Sequence, residues 1–142
     1  MGNDLQSITE RNTEINSENN IVQLGSELKK RVFTISEAHE LLPLIYHITE
    51  GAQKEVKLLV NNLEAIKQTS SAKAKEYEAQ INVIVERWQQ KLQRLGASPK
   101  GLWLADFDNG TGYYCWKFPE TKIAHWHGYN DGFSGRMPIE GN

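Results

Sequence analysis

Two apolar stripes of nearly equal length, separated by a short polar run, constrain this fold more than any other feature of the sequence. Apolar residues recur at threes and fours between Leu41 and Ile66, and again between Ala74 and Leu95. Such spacing places apolar side chains on one face of an α-helix. Because the polar connection at residues 68–71 is short, the two helices have to run antiparallel. The stripes therefore predict a helical hairpin of the coiled-coil kind over residues 34–96.

The expected ends of this hairpin carry recognisable capping residues. Thr34 is followed three residues later by Glu37, which is the spacing of a capping box at a helix start. Gly96 stands where a helix C-cap is expected, directly after the second stripe. Pro43 interrupts the first stripe, removes one backbone donor and predicts a kink in the first helix.

The chain changes character after residue 100. This zone holds nine of the thirteen aromatic residues and seven of the eleven glycines. Three β-prone runs, at residues 102–107, 112–118 and 122–127, are separated by turn sequences rich in Asp, Asn, Gly and Pro. They predict a three-stranded antiparallel β-meander followed by an irregular C-terminal loop. The fold class is therefore α+β. The helical hairpin (residues 34–96) and the meander with its C-terminal loop (residues 101–142) form one domain over residues 32–142.

Composition excludes several classes of partner. The 142 residues include 16 basic and 18 acidic side chains, for a formal net charge of −2. This balance lacks the basic face that nucleic-acid binding requires, and no apolar run approaches the ~20 residues of a membrane span. The N-terminus does not resemble a secretory signal, and one cysteine cannot form an internal disulfide, so a cytoplasmic location is expected. Residues 1–31 are polar and lack a period, which predicts a flexible tail.

The two turns also predict the register of the meander. The first closes if Phe107 pairs with Gly112, and the second if Phe118 pairs with Lys122. Side chains alternate across a sheet, so this register separates two faces. The apolar face, expected to pack on the hairpin, holds Trp103, Ala105, Phe107, Tyr114, Trp116, Phe118, Ala124 and Trp126. The polar face holds Leu104, Asp106, Tyr113, Cys115, His125 and His127, with Asp106 opposite Tyr113 and Cys115 opposite His125.

Short motifs at the first helix and throughout the C-terminal zone form a recognisable set. They are Phe33-Thr34, Glu37-Ala38, Leu41-Leu42-Pro43, Gly101, Asp106-Phe107, Cys115-Trp116, Trp126-His127, Gly132-Phe133 and Gly135-Arg136 before Pro138. Over about residues 32–139 this set resembles an uncharacterised, mainly bacterial family catalogued as a domain of unknown function (DUF 2203). That family has no assigned activity, so the resemblance implies a shared fold and site but no reaction. His125 lies outside the family's pattern.

The polar face offers donors for a metal ion. His125 and His127 place two imidazoles on one side of a strand, a spacing that can chelate a divalent metal such as zinc. Asp106, Cys115 or Asp131 would supply the further ligands. The same residue types are found in a thiol-dependent hydrolase, with Cys115 as nucleophile and a histidine as base. No strand-to-helix elbow or oxyanion-hole glycine precedes Cys115, so this interpretation has less support.

A small anion is the other candidate ligand. Arg136 lies in a Gly-rich loop that can fold over the polar face and clamp a carboxylate or phosphate, helped by His127. The residues predicted to line such a site are Asp106, Tyr113, Cys115, His127, Asp131 and Arg136. Alternatively, Arg136 only pins the loop by pairing with Asp131, Asp106 or a carbonyl group.

The leading hypothesis is a cytoplasmic protein that binds a small anionic ligand or a metal ion at this face. The competing hypothesis is a non-catalytic interaction module that forms homodimers through the hairpin, with purely structural polar residues. A small metal- or thiol-dependent hydrolase is a third hypothesis. Ligand or metal binding predicts that Asp106, His127 and Arg136 share a solvent-accessible pocket. A purely structural role predicts that these three side chains are mutually satisfied and closed to solvent.

Overall fold

The computed structural model describes residues 31–140, so all of the predicted N-terminal tail except Arg31 lies outside the described residues. Two long helices, α1 (Ile35–Ile66) and α2 (Ser71–Arg94), pack against each other along their length. The predicted helical hairpin is therefore confirmed. Neither helix is both long and apolar enough to cross a lipid bilayer.

The ends of the helices follow from local hydrogen bonding. The Thr34 hydroxyl accepts from the backbone amide of Glu37, and the Glu37 carboxylate accepts from the Thr34 amide at 2.8 Å, which completes the predicted capping box. Ser70 caps α2 in a similar way. Gly96 follows α2 with a φ of +91°, a conformation that favours glycine. Helix α1 continues through Pro43, where the sequence predicts a kink.

The sheet has five strands rather than the three predicted. They are β1 (Ser98–Gly101), β2 (Leu104–Asp108), β3 (Gly112–Lys117), β4 (His125–Gly128) and β5 (Met137–Pro138), antiparallel and in the order β1-β2-β3-β4-β5. The prediction missed the two edge strands for a physical reason. Strand β1 contains proline and glycine, and β5 has two residues, so neither displays the alternating apolar pattern that marks a strand.

The register of the second turn matches the prediction, but that of the first does not. Cys115 pairs with His125, as predicted. In the first hairpin, however, Asp106 pairs with Cys115 instead of Tyr113, an offset of two residues. The offset arises because the loop is shorter than predicted. Gly110 adopts a φ of +94°, and the Asn109 side chain accepts from the amides that follow it, which closes a tighter turn.

The sheet packs one face on the open end of the hairpin. Ala105, Phe107 and Trp116 are fully buried in a cluster with apolar residues from the start of α1 and the end of α2. Most of the predicted apolar face therefore lies in the core, although Ala124 and Trp126 are only half-buried and lie outside this cluster. Further along the hairpin a second cluster lies between the helices, built from Val56, Leu63, Ala74, Ile81 and Val85. Trp103 contacts both clusters and packs edge-on against Trp88 at 5.0 Å.

Candidate functional site

Three neighbouring strands bring three polar side chains together on the face of the sheet that points away from the core. Asp106 on β2 pairs with Cys115 on β3, and His127 on β4 lies diagonally from both. Asp106 is 3% exposed, Cys115 0% and His127 3%. One donor atom from each of the three lies within 4.8 Å of the other two. We call these three side chains the buried triad.

Hydrogen bonds on both ring nitrogens orient His127 within the buried triad. Its Nδ1 lies 2.9 Å from the carbonyl oxygen of Gly128, and its Nε2 lies 3.0 Å from Oδ2 of Asp106. A carbonyl oxygen can only accept, so Nδ1 carries a hydrogen and donates it. This leaves Nε2 directed at the carboxyl group of Asp106.

One proton occupies the gap between Nε2 of His127 and Oδ2 of Asp106. Two unprotonated acceptors would repel at 3.0 Å, so either the imidazole or the carboxyl group supplies the hydrogen. Burial raises the pKa of Asp106 above its ordinary value, and the nearby His127 offsets part of that rise. The proton is therefore held between two buried groups that could both serve as metal ligands.

The Cys115 thiol is not activated as a nucleophile. Burial is the largest cause that raises its pKa, and the neighbouring Asp106 carboxyl adds to it, bringing the pKa to about 12. A catalytic thiol instead needs a lowered pKa, since the thiolate is the reactive form. The hypothesis of a thiol-dependent hydrolase therefore has no electrostatic support. A metal ion would remove this barrier, because a coordinating thiol loses its proton outright.

Two buried polar atoms at this face have no hydrogen-bond partner among the described residues. One is Oδ1 of Asp106, which has only the weakly donating Cys115 thiol nearby, and the other is Nδ1 of His125. His125 lies directly across from Cys115 and is half-buried. The hydrogen-bonding groups of the polar face are therefore incompletely paired. Each buried polar atom left without a partner costs about 1–3 kcal/mol.

Arg136 closes the C-terminal segment over the polar face. Its guanidinium donates two hydrogen bonds to the Glu120 carboxylate, at 2.7 and 3.1 Å, and stacks on the ring of Phe133. The guanidinium also lies close enough to Cys115 to lower the pKa of the thiol in part. Although partial burial alone would raise the pKa of Glu120, hydrogen bonds from Arg136 and from the Lys117 amide hold it below its ordinary value of 4.5.

The other predicted site residues differ in how close they lie to the triad. Tyr113 is half-buried and packs its ring 5.4 Å from the His127 ring. Asp131 is exposed and accepts a hydrogen bond from the Gly128 amide, outside the buried triad. The partner of Arg136 is Glu120, which sequence reasoning assigned only to a turn. The sequence did contain a signal for such a pairing. Arg136 is the sole arginine after residue 100, and a buried arginine needs an acidic neighbour.

Fold and site together define a helical hairpin protein with a small antiparallel sheet that buries a candidate metal-binding group. The chain belongs to the family described as uncharacterized conserved protein (DUF2203), whose sequence model matches residues 31–139. The match extends over the hairpin and all five strands, in agreement with the resemblance seen in the sequence. No curated protein and no solved structure matches this chain.

Proposed function

We propose that this protein binds a divalent transition metal ion, zinc foremost, through Asp106, Cys115 and His127. The observation that carries the proposal is the close approach of three buried donor groups, within 4.8 Å of one another. Carboxylate, thiolate and imidazole groups are all established zinc ligands. A site with a thiolate and an imidazole is unsuitable for magnesium and calcium, because these ions take oxygen ligands. The metal ion would displace the proton between His127 and Asp106, and the Asp106 carboxylate would bind the ion through Oδ1, the oxygen that has no partner among the described residues.

The geometry of the triad suits such an ion. With ligand bonds of about 2.0–2.3 Å, tetrahedral donor atoms lie roughly 3.3–3.8 Å apart. The donor atoms of the triad lie within 4.8 Å of one another, so only the most widely separated of them have to close, by up to about 1 Å. The hydrogen bond from Nδ1 of His127 to Gly128 fixes the ring and leaves Nε2 for the metal. Histidine ligands in proteins are commonly held by this kind of outer hydrogen bond.

Charge balance also supports a dipositive ion at this position. Asp106 and Cys115 would each contribute one negative charge, which together neutralise the metal. Arg136 and Glu120 already form a neutral pair beside them. A buried site with no net charge avoids most of the cost of placing unpaired charges in the interior. The guanidinium next to Cys115 would further stabilise a metal-bound thiolate.

The burial of the triad favours an ion over a larger ligand. A small anionic metabolite needs an accessible cavity and a free cationic group. Here Asp106 and His127 are closed to solvent and Arg136 is engaged by Glu120, so the solvent-accessible pocket that the sequence analysis predicted for ligand or metal binding is not formed by these three side chains. A purely structural role is also a poor fit, because two polar atoms are left unsatisfied. A metal ion requires no large pocket and would satisfy Oδ1 of Asp106.

Metal content of the purified full-length chain tests the proposal directly. Native mass spectrometry with elemental analysis should find close to one metal ion per chain after growth with zinc, and a chelator should remove it. Adding zinc to the metal-free protein should raise its melting temperature. Cys115→Ser should weaken zinc binding strongly, because it replaces the soft thiolate with a poorly coordinating hydroxyl group.

His47→Ala is the matched control, since His47 is exposed on α1 and far along the chain from the triad. This variant should keep the metal content of the wild type. Protein that carries no metal and gains no thermal stability from zinc, cobalt, nickel or manganese would contradict the proposal.

Homodimerisation through the hairpin and a cytoplasmic location remain predictions from the sequence. The second core cluster, which lies between the two helices with Trp103 at its edge, is where a partner hairpin would add burial. Sedimentation that finds only monomer at micromolar concentration would remove the dimer from consideration.

A further inference from the structure

His125 is a further histidine whose position in the sheet lies next to the buried triad. It pairs across the sheet with Cys115 and therefore lies on the same face. Directly opposed residues in an antiparallel pair have Cβ atoms about 4.5–5.5 Å apart. From that distance a cysteine sulfur and an imidazole Nδ1 can both reach one ion.

The Nδ1 atom of His125 is buried and has no hydrogen-bond partner among residues 31–140. Oδ1 of Asp106 is in the same condition, and Asp106 pairs with Cys115 from the other side. Both of these unsatisfied atoms therefore belong to the direct cross-strand neighbours of one thiol. Unpaired buried polar groups are rare in native proteins and call for an explanation.

We propose that His125 supplies the fourth ligand, through Nδ1, to a closed metal centre formed with Asp106, Cys115 and His127. This inference rests on the proposed function and extends it. His125 is not within the 4.8 Å group, so its side chain would have to rotate for Nδ1 to reach the ion. Metal binding would then satisfy both unpaired atoms in one step.

A four-ligand centre has a definite functional consequence. Catalytic zinc keeps one position open for water or substrate, whereas structural zinc is closed by four protein ligands. A closed Asp/Cys/His/His centre holds no activated water. The metal would instead link β2, β3 and β4 to one another, and the protein would perform no metal-dependent hydrolysis.

Cobalt substitution of the full-length chain tests this inference separately from the proposed function. The Co²⁺ form should show a thiolate-to-cobalt charge-transfer band and the strong visible bands of a four-coordinate ion. Added azide should leave this spectrum unchanged, because no position is open. In His125→Ala the affinity for Co²⁺ should fall by about tenfold or more, and azide should now alter the spectrum. His47→Ala should behave as the wild type.

The outcomes separate the two levels of the proposal. A wild-type chain that binds Co²⁺ but whose spectrum responds to azide has an open centre, and the inference about His125 is then wrong while the proposed function holds. The inference about His125 is equally wrong if His125→Ala keeps the affinity and spectrum of the wild type. If the wild type binds no Co²⁺ at all, the proposed function fails and this inference fails with it. The azide measurement on the wild type does not depend on whether any variant folds.

Discussion

On the face of the sheet that meets the hairpin, Ala105, Phe107 and Trp116 are completely buried, and on the opposite face Asp106 and His127 are buried almost as fully. The apolar face is satisfied, since the indole N–H of Trp116 donates to the Glu120 carbonyl oxygen at 2.7 Å. On the polar face, Oδ1 of Asp106 has no partner among the described residues.

The two faces differ in whether the stability of the fold alone can explain the burial of their side chains. Burying an apolar side chain such as Trp116 stabilises the fold without further conditions. Buried ionisable groups rarely do so, and replacing them with apolar residues of similar volume is often neutral or stabilising. Stability alone therefore does not account for the triad of Asp106, Cys115 and His127, whereas the proposed metal site would give these side chains a role. Substitutions on the two faces should separate stability from metal affinity.

The largest expected effect lies on the apolar face. Trp116→Ala should reduce the free energy of unfolding by about 3–5 kcal/mol, because it opens a large cavity between sheet and hairpin. Chemical denaturation of the metal-free protein measures this loss. Trp126→Ala is the matched control, since Trp126 lies on the same face of the neighbouring strand but is only partly buried. Equal losses in the two variants would mean that this face is not the core.

The next effect belongs to the polar face and depends on metal. At a free zinc concentration of about one hundred times Kd, the free energy of unfolding should rise by about 2.7 kcal/mol over the metal-free protein. Asp106→Asn should abolish most of this gain while leaving the metal-free protein folded. If Asp106→Asn destabilised the metal-free protein as strongly as Trp116→Ala does, the polar face would contribute to stability as the apolar face does, which would contradict the difference between them.

A smaller effect concerns the ion pair that closes the C-terminal segment. Glu120→Gln should cost about 1.5 kcal/mol, since it removes a bidentate pair that is largely shielded from solvent. The pair also predicts acid sensitivity. Because folding lowers the pKa of Glu120, its contribution is present above pH 4.5 and is lost as the pH falls through the lower folded-state pKa.

Urea denaturation between pH 3 and pH 7 checks both parts of this prediction. The difference between wild type and Glu120→Gln should be full near pH 7 and shrink toward pH 3. Glu64→Gln removes an exposed pair with Lys67 and should change stability by less than about 0.5 kcal/mol. A pH-independent difference for Glu120→Gln would show that the lost contact is not the charged pair.

Local signals made the hairpin predictable from sequence. Thr34 and Glu37 form hydrogen bonds with backbone groups only three residues away, so the helix start can be recognised from a short motif. Two apolar stripes of equal length then indicate two helices that pack against each other. Strand β1 gave no such signal, because a Pro- and Gly-containing segment joins the sheet through backbone pairing with β2. The loop at Gly110 was also predicted wrongly, since a positive φ there shortened the turn by two residues.

The triad could nevertheless be found, because side-chain direction in a strand repeats every two residues. A two-residue error in register moves Asp106 to a new partner but keeps it on the same face as Cys115. His127 was predicted to share the site with Asp106, and the two side chains are hydrogen-bonded, although the contact is diagonal across the sheet because the register of the first hairpin is shifted. The pairing of Glu120 with Arg136 joins a turn to a loop and has no periodic signature.

The smallest predicted effect returns to the apolar face, at the first turn of α1. Thr34→Ala should cost about 1 kcal/mol, because the hydroxyl that accepts from the Glu37 amide is lost and a backbone donor is left unpaired. Thr34 also follows Phe33, which is buried edge-on against Phe107 at 5.2 Å, so a frayed helix start would loosen the apolar face. Thr34→Ser keeps the cap and should lie within a few tenths of a kcal/mol of the wild type. Zinc affinity should be the same in both variants, since the cap touches only the apolar side. A loss of zinc affinity in Thr34→Ala alone would show that the two faces are coupled through the sheet.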